Sequence, residues 1–206
     1  AESVRTIRTG IVLSALDNPH KILCVTSSVP GEGKTSLTLS LAFPIGQMEK
    51  VLLIDADMRR PSIAKNFGLS GKSPGLSNLV AGTARLEETI HKDEKSGIDV
   101  LPSGIIPPNP LELLSSHRFA KVLAVLETKY DRIIIDTAPT QAVSDALVLS
   151  SHVGAMIYVV KADATNYQLA KNGLKRLNEV KAPLIGVVLN QVDIKKAAKY
   201  GGDYSG

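Results

Sequence analysis

Six short apolar runs punctuate the chain: Ile22–Thr26, Val51–Ile54, Ile98–Leu101, Ile133–Ile135, Ala155–Val160 and Leu184–Leu189. Most are continuous rather than alternating, the pattern of strands covered on both faces. Between them the period lengthens to three or four. Over residues 2–16, Val4, Ile7, Ile11 and Ala15 share one helical face while Glu2, Arg5 and Arg8 take another, and Asp17-Asn18-Pro19 ends the helix. Lys34–Gln47 predicts a second helix. Asn109 as N-cap with Pro110 in the first turn opens a third, through about Glu127. Ser144-Asp145 caps a fourth, and Asn166–Val180 is amphipathic. Strands alternating with helices imply right-handed crossovers, hence an α/β fold with a mostly parallel sheet and helices on both faces. Residues 61–97, rich in Gly, Ser and Lys, predict an irregular surface excursion. Residues 1–194 read as one domain, and the glycine-rich segment 195–206 as a flexible tail that cannot build a core.

Composition sharpens this picture. The 206 residues are 44% apolar but only 4% aromatic, with no Trp, so the core is one of Val, Ile, Leu and Ala. A net charge of +4, with both signs interspersed, suits phosphorylated ligands or an anionic membrane surface and calls for no nucleic acid. The run Lys195-Lys196-Ala197-Ala198-Lys199 reads as a solvated face. Cys24 has no cysteine partner, which fits a reducing compartment. The four His residues are too scattered for metal-ligand spacing. No stretch reaches membrane-spanning length and no signal peptide opens the chain. Because Ala1 begins within a predicted helix, the sequence is expected to be a fragment of something longer.

The strongest chemical signal follows the first apolar run. Ser28-Val29-Pro30-Gly31-Glu32-Gly33-Lys34-Thr35 stands between a predicted strand and a predicted helix. Glycines there let backbone N–H groups turn inward, and the helix start adds unpaired donors and a positive dipole end, an arrangement that cradles phosphates. Pro30, Gly31, Glu32, Gly33, Lys34, Thr35 and Ser36 are thus the candidate nucleotide-binding residues. Lys34 reaches the β/γ-phosphates and Thr35 ligates Mg²⁺. These predictions define a P-loop NTPase fold with ATP and Mg²⁺ as cofactors. Ser28 replaces the first glycine of the usual pattern.

Val51-Leu52-Leu53-Ile54-Asp55-Ala56-Asp57 carries two carboxylates to a strand's carboxyl end, the edge where open α/β sheets bind ligands. Arg132-Ile133-Ile134-Ile135-Asp136 does the same on another strand, and Asp136 is the candidate carboxylate behind the metal's own ligands. Of Asp55 and Asp57, one can hold the metal through water while the other accepts the proton of an attacking hydroxyl. The sequence leaves their order open. Arg59 and Arg60 either stabilise phosphate charge or pair with a nearby carboxylate or solvent.

At these residues the chain resembles the bacterial tyrosine kinases of polysaccharide export, the BY-kinases, and within them the cytoplasmic domain of the Wzc-like polysaccharide co-polymerases. The likeness runs from Glu2 to about Asp193. It rests on Pro-Gly-Glu-Gly-Lys-Thr, on Ile54-Asp55-Ala56-Asp57-Met58-Arg59-Arg60-Pro61 and on Ile135-Asp136-Thr137-Ala138-Pro139. Gly75-Leu76-Ser77 with Gly82, Leu101-Pro102-Ser103-Gly104 through Pro107-Pro108-Asn109-Pro110, and Glu2-x-x-Arg5-x-x-Arg8 add to it. The resemblance implies γ-phosphoryl transfer from ATP to tyrosines of the protein's own C-terminal cluster, here Tyr200 and Tyr204. Lys34, Thr35, Asp57 and Asp136 then serve nucleotide and Mg²⁺, with Asp55 the candidate base, exchangeable with Asp57. Catalytic roles thus fall on Lys34, Asp55 and Asp57, and metal contacts on Thr35, Asp57 and Asp136.

The resemblance further implies a ring-shaped homo-oligomer with Glu2, Arg5 and Arg8 at the subunit contact, although Glu2 and Arg5 at i,i+3 also suit an exposed intrahelical pair. Tail tyrosines would enter neighbouring subunits. A membrane-anchored activator segment of the same protein, a cognate phosphotyrosine phosphatase and a place on the cytoplasmic side of an inner membrane complete the implied setting. Asn190 either reads the adenine edge or merely ends a strand. Ala138 stands where the family commonly has proline, and two tail tyrosines stand for a longer cluster. The related partitioning ATPases carry a signature lysine where Val29 lies, which disfavours a dimer-switch ATPase. A nucleotide-binding adaptor without chemistry is disfavoured by the intact loop and carboxylates.

Overall fold

The computed structural model describes residues 2–14 and 20–193. Helix α1 (Glu2–Leu13) leads to strand β1 (Ile22–Ser27), the phosphate-loop candidate and helix α2 (Lys34–Gly46), then β2 (Val51–Asp55). Three short helices follow, α3 (Ile63–Asn66), α4 (Leu76–Ala81) and α5 (Leu86–Thr89), then strands β3 (His91–Lys92) and β4 (Asp99–Leu101). Helices α6 (Pro110–Leu114) and α7 (His117–Glu127), β5 (Arg132–Asp136), α8 (Asp145–Leu149), β6 (Ala155–Lys161), α9 (Tyr167–Glu179) and β7 (Leu184–Asn190) complete the order. Among the described residues the sheet runs β3-β4-β2-β5-β1-β6-β7, and only β3 is antiparallel. The chain has an α/β P-loop NTPase-like fold.

The continuous apolar runs have a direct cause. In β1, Ile22 and Cys24 face one core while Leu23 and Val25 face the other. In β2, Leu52 and Ile54 divide from Val51 and Leu53 in the same way. The second core is closed by Leu37, Leu41 and Ile45 of α2 and by Val4, Ile7 and Ile11 of α1. The first is closed by α4, α7, α8 and α9 through Val80, Phe119, Leu149 and Leu177. Burial on both faces removes any room for alternation.

Two expectations change. The helix predicted over 109–127 breaks at Ser115-Ser116, where Ser116 Oγ accepts the Phe119 N–H at 3.1 Å and starts α7. A serine in that position favours a new N-cap over continued helix. Residues 61–97 are also more than a surface excursion: Ile63, Leu76 and Val80 are buried. Leu76 and Ser77 donate N–H groups to the carbonyls of Pro102 and Ser103 at 2.8 and 2.9 Å. Gly75 permits this approach, since a Cβ there would collide with the Pro102 carbonyl.

Candidate active site

The parallel strands bring β1, β2 and β5 side by side, with Val25 beside Asp136 and Asp136 beside Asp55 in register. Their carboxyl ends therefore share one edge of the sheet, and the loops that leave them share one cleft. That cleft has a volume of about 270 Å³ and is lined by Pro30, Gly31, Gly33, Lys34, Thr35 and Ser36 of the loop, with Asp57, Arg60 and Ser62 opposite. A larger cavity of about 690 Å³ lies between α1 and α2, lined by Val4, Arg5, Arg8, Phe43, Pro44 and Met48 among others. Among the described residues it has no carboxylate or phosphate-type loop in its lining, so the chemistry belongs to the smaller cleft.

The loop is held from three directions. Glu32, buried, accepts the Val29 N–H at 2.8 Å and the Lys161 N–H at 3.2 Å, and Thr165 Oγ1 donates to it as well. Its carboxylate is a brace joining the loop to the end of β6, and only its backbone stands among the candidate nucleotide contacts. Asn190 Nδ2 donates to the Glu32 carbonyl at 2.9 Å, which ties the end of β7 to the same loop. Gly33 adopts φ +86°, and a Cβ there would strike the Asn190 amide. Ser28 has its own reason. Tyr158 Oη donates to Ser28 Oγ at 3.0 Å and lies 3.1 Å from Thr140 Oγ1, so the serine hydroxyl gives the buried phenol an acceptor that a glycine would not.

Inside the cleft, Lys34 Nζ lies 2.9 Å from Asp136 Oδ1 and 3.8 Å from Asp57 Oδ2. Thr35 Oγ1 donates to Asp136 Oδ2 at 2.6 Å. Burial pushes the Asp136 carboxyl up, while the Lys34 charge and the Thr35 hydroxyl pull it down. Asp57 is on the cleft wall and accepts the Arg60 N–H at 3.0 Å. Asp55 lies deeper, wholly buried. Its Oδ1 accepts the Asp57 N–H, and its Oδ2 accepts those of Ser62 and Ile63, all within 3.1 Å. Burial raises its carboxyl to about 7 against the pull of the Ile63 N–H.

Of the two arginines, Arg59 makes the carboxylate pair that the sequence left open. Its Nε and Nη2 donate to Asp145 Oδ2 and Oδ1 at 3.0 and 3.1 Å, a two-pronged bond to a buried carboxylate that holds the guanidinium firmly charged. Arg60 lines the cleft instead. The fold thus gathers Lys34, Thr35, Asp57 and Asp136, with Asp55 directly behind. Arg5 and Arg8 stand apart, at the α1–α2 cavity. The expectations for Tyr200, Tyr204 and the Glu2 side chain fall outside the described residues.

Asp145, Tyr158 and Ser62 escape sequence reasoning as parts of the site. Asp145 and Tyr158 meet their partners 86 and 130 residues away, and no local pattern announces such contacts. Ser62 comes directly after the motif that ends at Pro61, where no period continues.

A family model described as an AAA domain matches residues 20–191. The chain is 35% identical over 202 residues to the tyrosine-protein kinase YwqD of Bacillus subtilis (strain 168), covering 98% of this chain and 85% of that one. It is 36% identical to the tyrosine-protein kinase Etk of Escherichia coli (strain K12), covering 96% of this chain but only 27% of Etk. Among solved structures, the VpsO kinase domain superposes with a TM-score of 0.86 at 44% identity, over 92% of this chain and 94% of that one.

Proposed function

The chain belongs to the bacterial tyrosine-kinase (BY-kinase) family, and from that membership we propose that it uses Mg·ATP to phosphorylate tyrosines of its own C-terminal segment, Tyr200 and Tyr204. The observation that carries this reading is the meeting of Lys34, Thr35, Asp57 and Asp136 at one glycine-walled cleft. An open cradle of backbone amides, a lysine and a hydroxyl backed by a carboxylate fit a nucleotide with its magnesium. Among the described residues no three His, Cys, Asp or Glu side chains are grouped to hold an ion alone. Magnesium usually takes one or two protein ligands and completes its shell with phosphates and water. Thr35 would hold it directly, with Asp136 through water. When bound, it would neutralise phosphate charge.

Lys34 exchanges its carboxylate partners for phosphate oxygens, and Arg60 faces the charge of the transferring group. Asp57 is better placed as base than Asp55, because it lines the cleft while both Asp55 oxygens are taken by backbone N–H groups. Asp57 takes the tyrosine proton as the phenolic oxygen bonds the γ-phosphorus and the bond to the β,γ-bridging oxygen breaks. Asp55 then holds the turn that aims Asp57. The reading extends to the setting that the family likeness supports: subunits in a ring with α1 at the contact, a membrane-anchored activator, a cognate phosphatase, and a role in exopolysaccharide or capsule synthesis on the cytoplasmic side of an inner membrane.

The test is direct. Purified chain incubated with Mg·ATP should gain mass in phosphate steps located at Tyr200 and Tyr204, and Lys34→Met should gain none. Phosphate release without mass gain would instead favour an ATPase switch of the partitioning type.

A further inference from the structure

Thr35 is read above as the hydroxyl that meets magnesium, and the residue touching it from across the cleft belongs to no phosphate-loop motif. Ser62 Oγ lies 3.0 Å from Thr35 Oγ1, in a contact that joins two segments 27 residues apart. A hydroxyl owns one hydrogen and two lone pairs. The hydrogen of Thr35 is spent on Asp136 Oδ2 at 2.6 Å. The proton in the Ser62–Thr35 contact is therefore Ser62's, and it occupies one lone pair of Thr35. One lone pair is left.

We propose that Ser62 is a positioning residue for the divalent cation that accompanies the nucleotide: with Asp136, it fixes the Thr35 hydroxyl so that the remaining lone pair is presented to that cation. The proposal rests on the magnesium reading of the cleft.

Two further observations point the same way. Ser62 occupies the N-cap position of α3, where a serine normally spends its Oγ on a helix N–H. It makes no such bond. Its main chain is anchored instead, the N–H on Asp55 Oδ2 and the carbonyl on Asn66 Nδ2, both at 3.0 Å. The backbone is thus held still while the side chain is turned into the cleft that it helps to line. Groups that orient a metal ligand from behind act by removing its alternatives, which spares the cost of ordering it when the ion arrives.

The experiment is calorimetric binding of ADP to the full chain, once with excess magnesium and once in EDTA. Ser62→Ala should weaken Mg·ADP binding about three- to tenfold, the worth of one oriented hydrogen bond, and weaken ADP binding in EDTA by less. Ser62→Thr, which keeps a hydroxyl, should bind Mg·ADP better than Ser62→Val, which matches it in size without one. That pair keeps the test sound should the alanine variant melt early. Equal loss in both conditions, or no loss in either, overturns the role of Ser62. A wild type that binds ADP no better with magnesium than in EDTA overturns the magnesium reading itself, and this proposal with it.

Discussion

Asp55 holds the turn after β2 together, and the cost of that service is visible in its protonation. Its folded carboxyl binds a proton up to about 7, whereas an unfolded one releases it near 3.8. Between those values the folded state carries the extra proton, so stability contributed at Asp55 falls as pH rises through that window. Asp136 is displaced in the same direction, also by burial. His152, pushed down by burial, acts oppositely just below its ordinary value of 6.5, so the comparison that isolates Asp55 is between variants. Thermal melts of nucleotide-free wild type and Asp55→Asn from pH 5 to 8 should diverge, with the wild type losing stability relative to the variant as pH rises. Parallel curves would show that Asp55 does not titrate there. Loss of one side-chain oxygen that accepts backbone N–H groups offsets the Asn curve by a constant and leaves its slope readable. The Asp, Lys and Thr of this site were legible in the sequence because each lies within a few residues of a glycine loop or a strand end. Asp145 and Tyr158 were not, because their chemistry is made by contacts across the fold. The two-pronged Arg59–Asp145 bond chooses between the alternatives that the sequence left for Arg59.

At the scale of elements, the strands were legible for the reason they are stable: apolar side chains on both faces leave no ambiguity of face or period. The short pieces were not. Strand β3 has two residues, too few for any period, and Ser115-Ser116 interrupts a helical pattern that reads as continuous on either side. Helix α1 raises a separate matter. It packs Val4, Ile7 and Ile11 onto the second core and turns Arg5 and Arg8 toward a groove that also holds Phe43 and Met48. Met48 is 81% exposed and Phe43 38%, apolar surface suited to a partner rather than to water. A subunit contact along α1 predicts that Arg8→Glu leaves the monomer folded and disperses the oligomer in sedimentation. An Arg8→Glu variant that sediments like the assembled wild type would remove α1 from the contact.

The whole molecule gathers its chemistry by topology. β1, β2 and β5 are neighbours in space though far apart in sequence, so three carboxyl ends deliver a lysine-bearing loop and three aspartates to one edge. The phosphate loop is then tied to the ends of β6 and β7 through Glu32 and Asn190, which makes the edge a single braced unit. If this edge receives Mg·ATP, a crystal structure of the chain with magnesium and a non-hydrolysable ATP analogue will show it there. Lys34 Nζ should withdraw from Asp136 onto the phosphates, with Thr35 Oγ1 on the metal and Asp136 behind it. Phosphates seated in the α1–α2 groove, or a Lys34 still paired with Asp136 beside bound nucleotide, would contradict that arrangement.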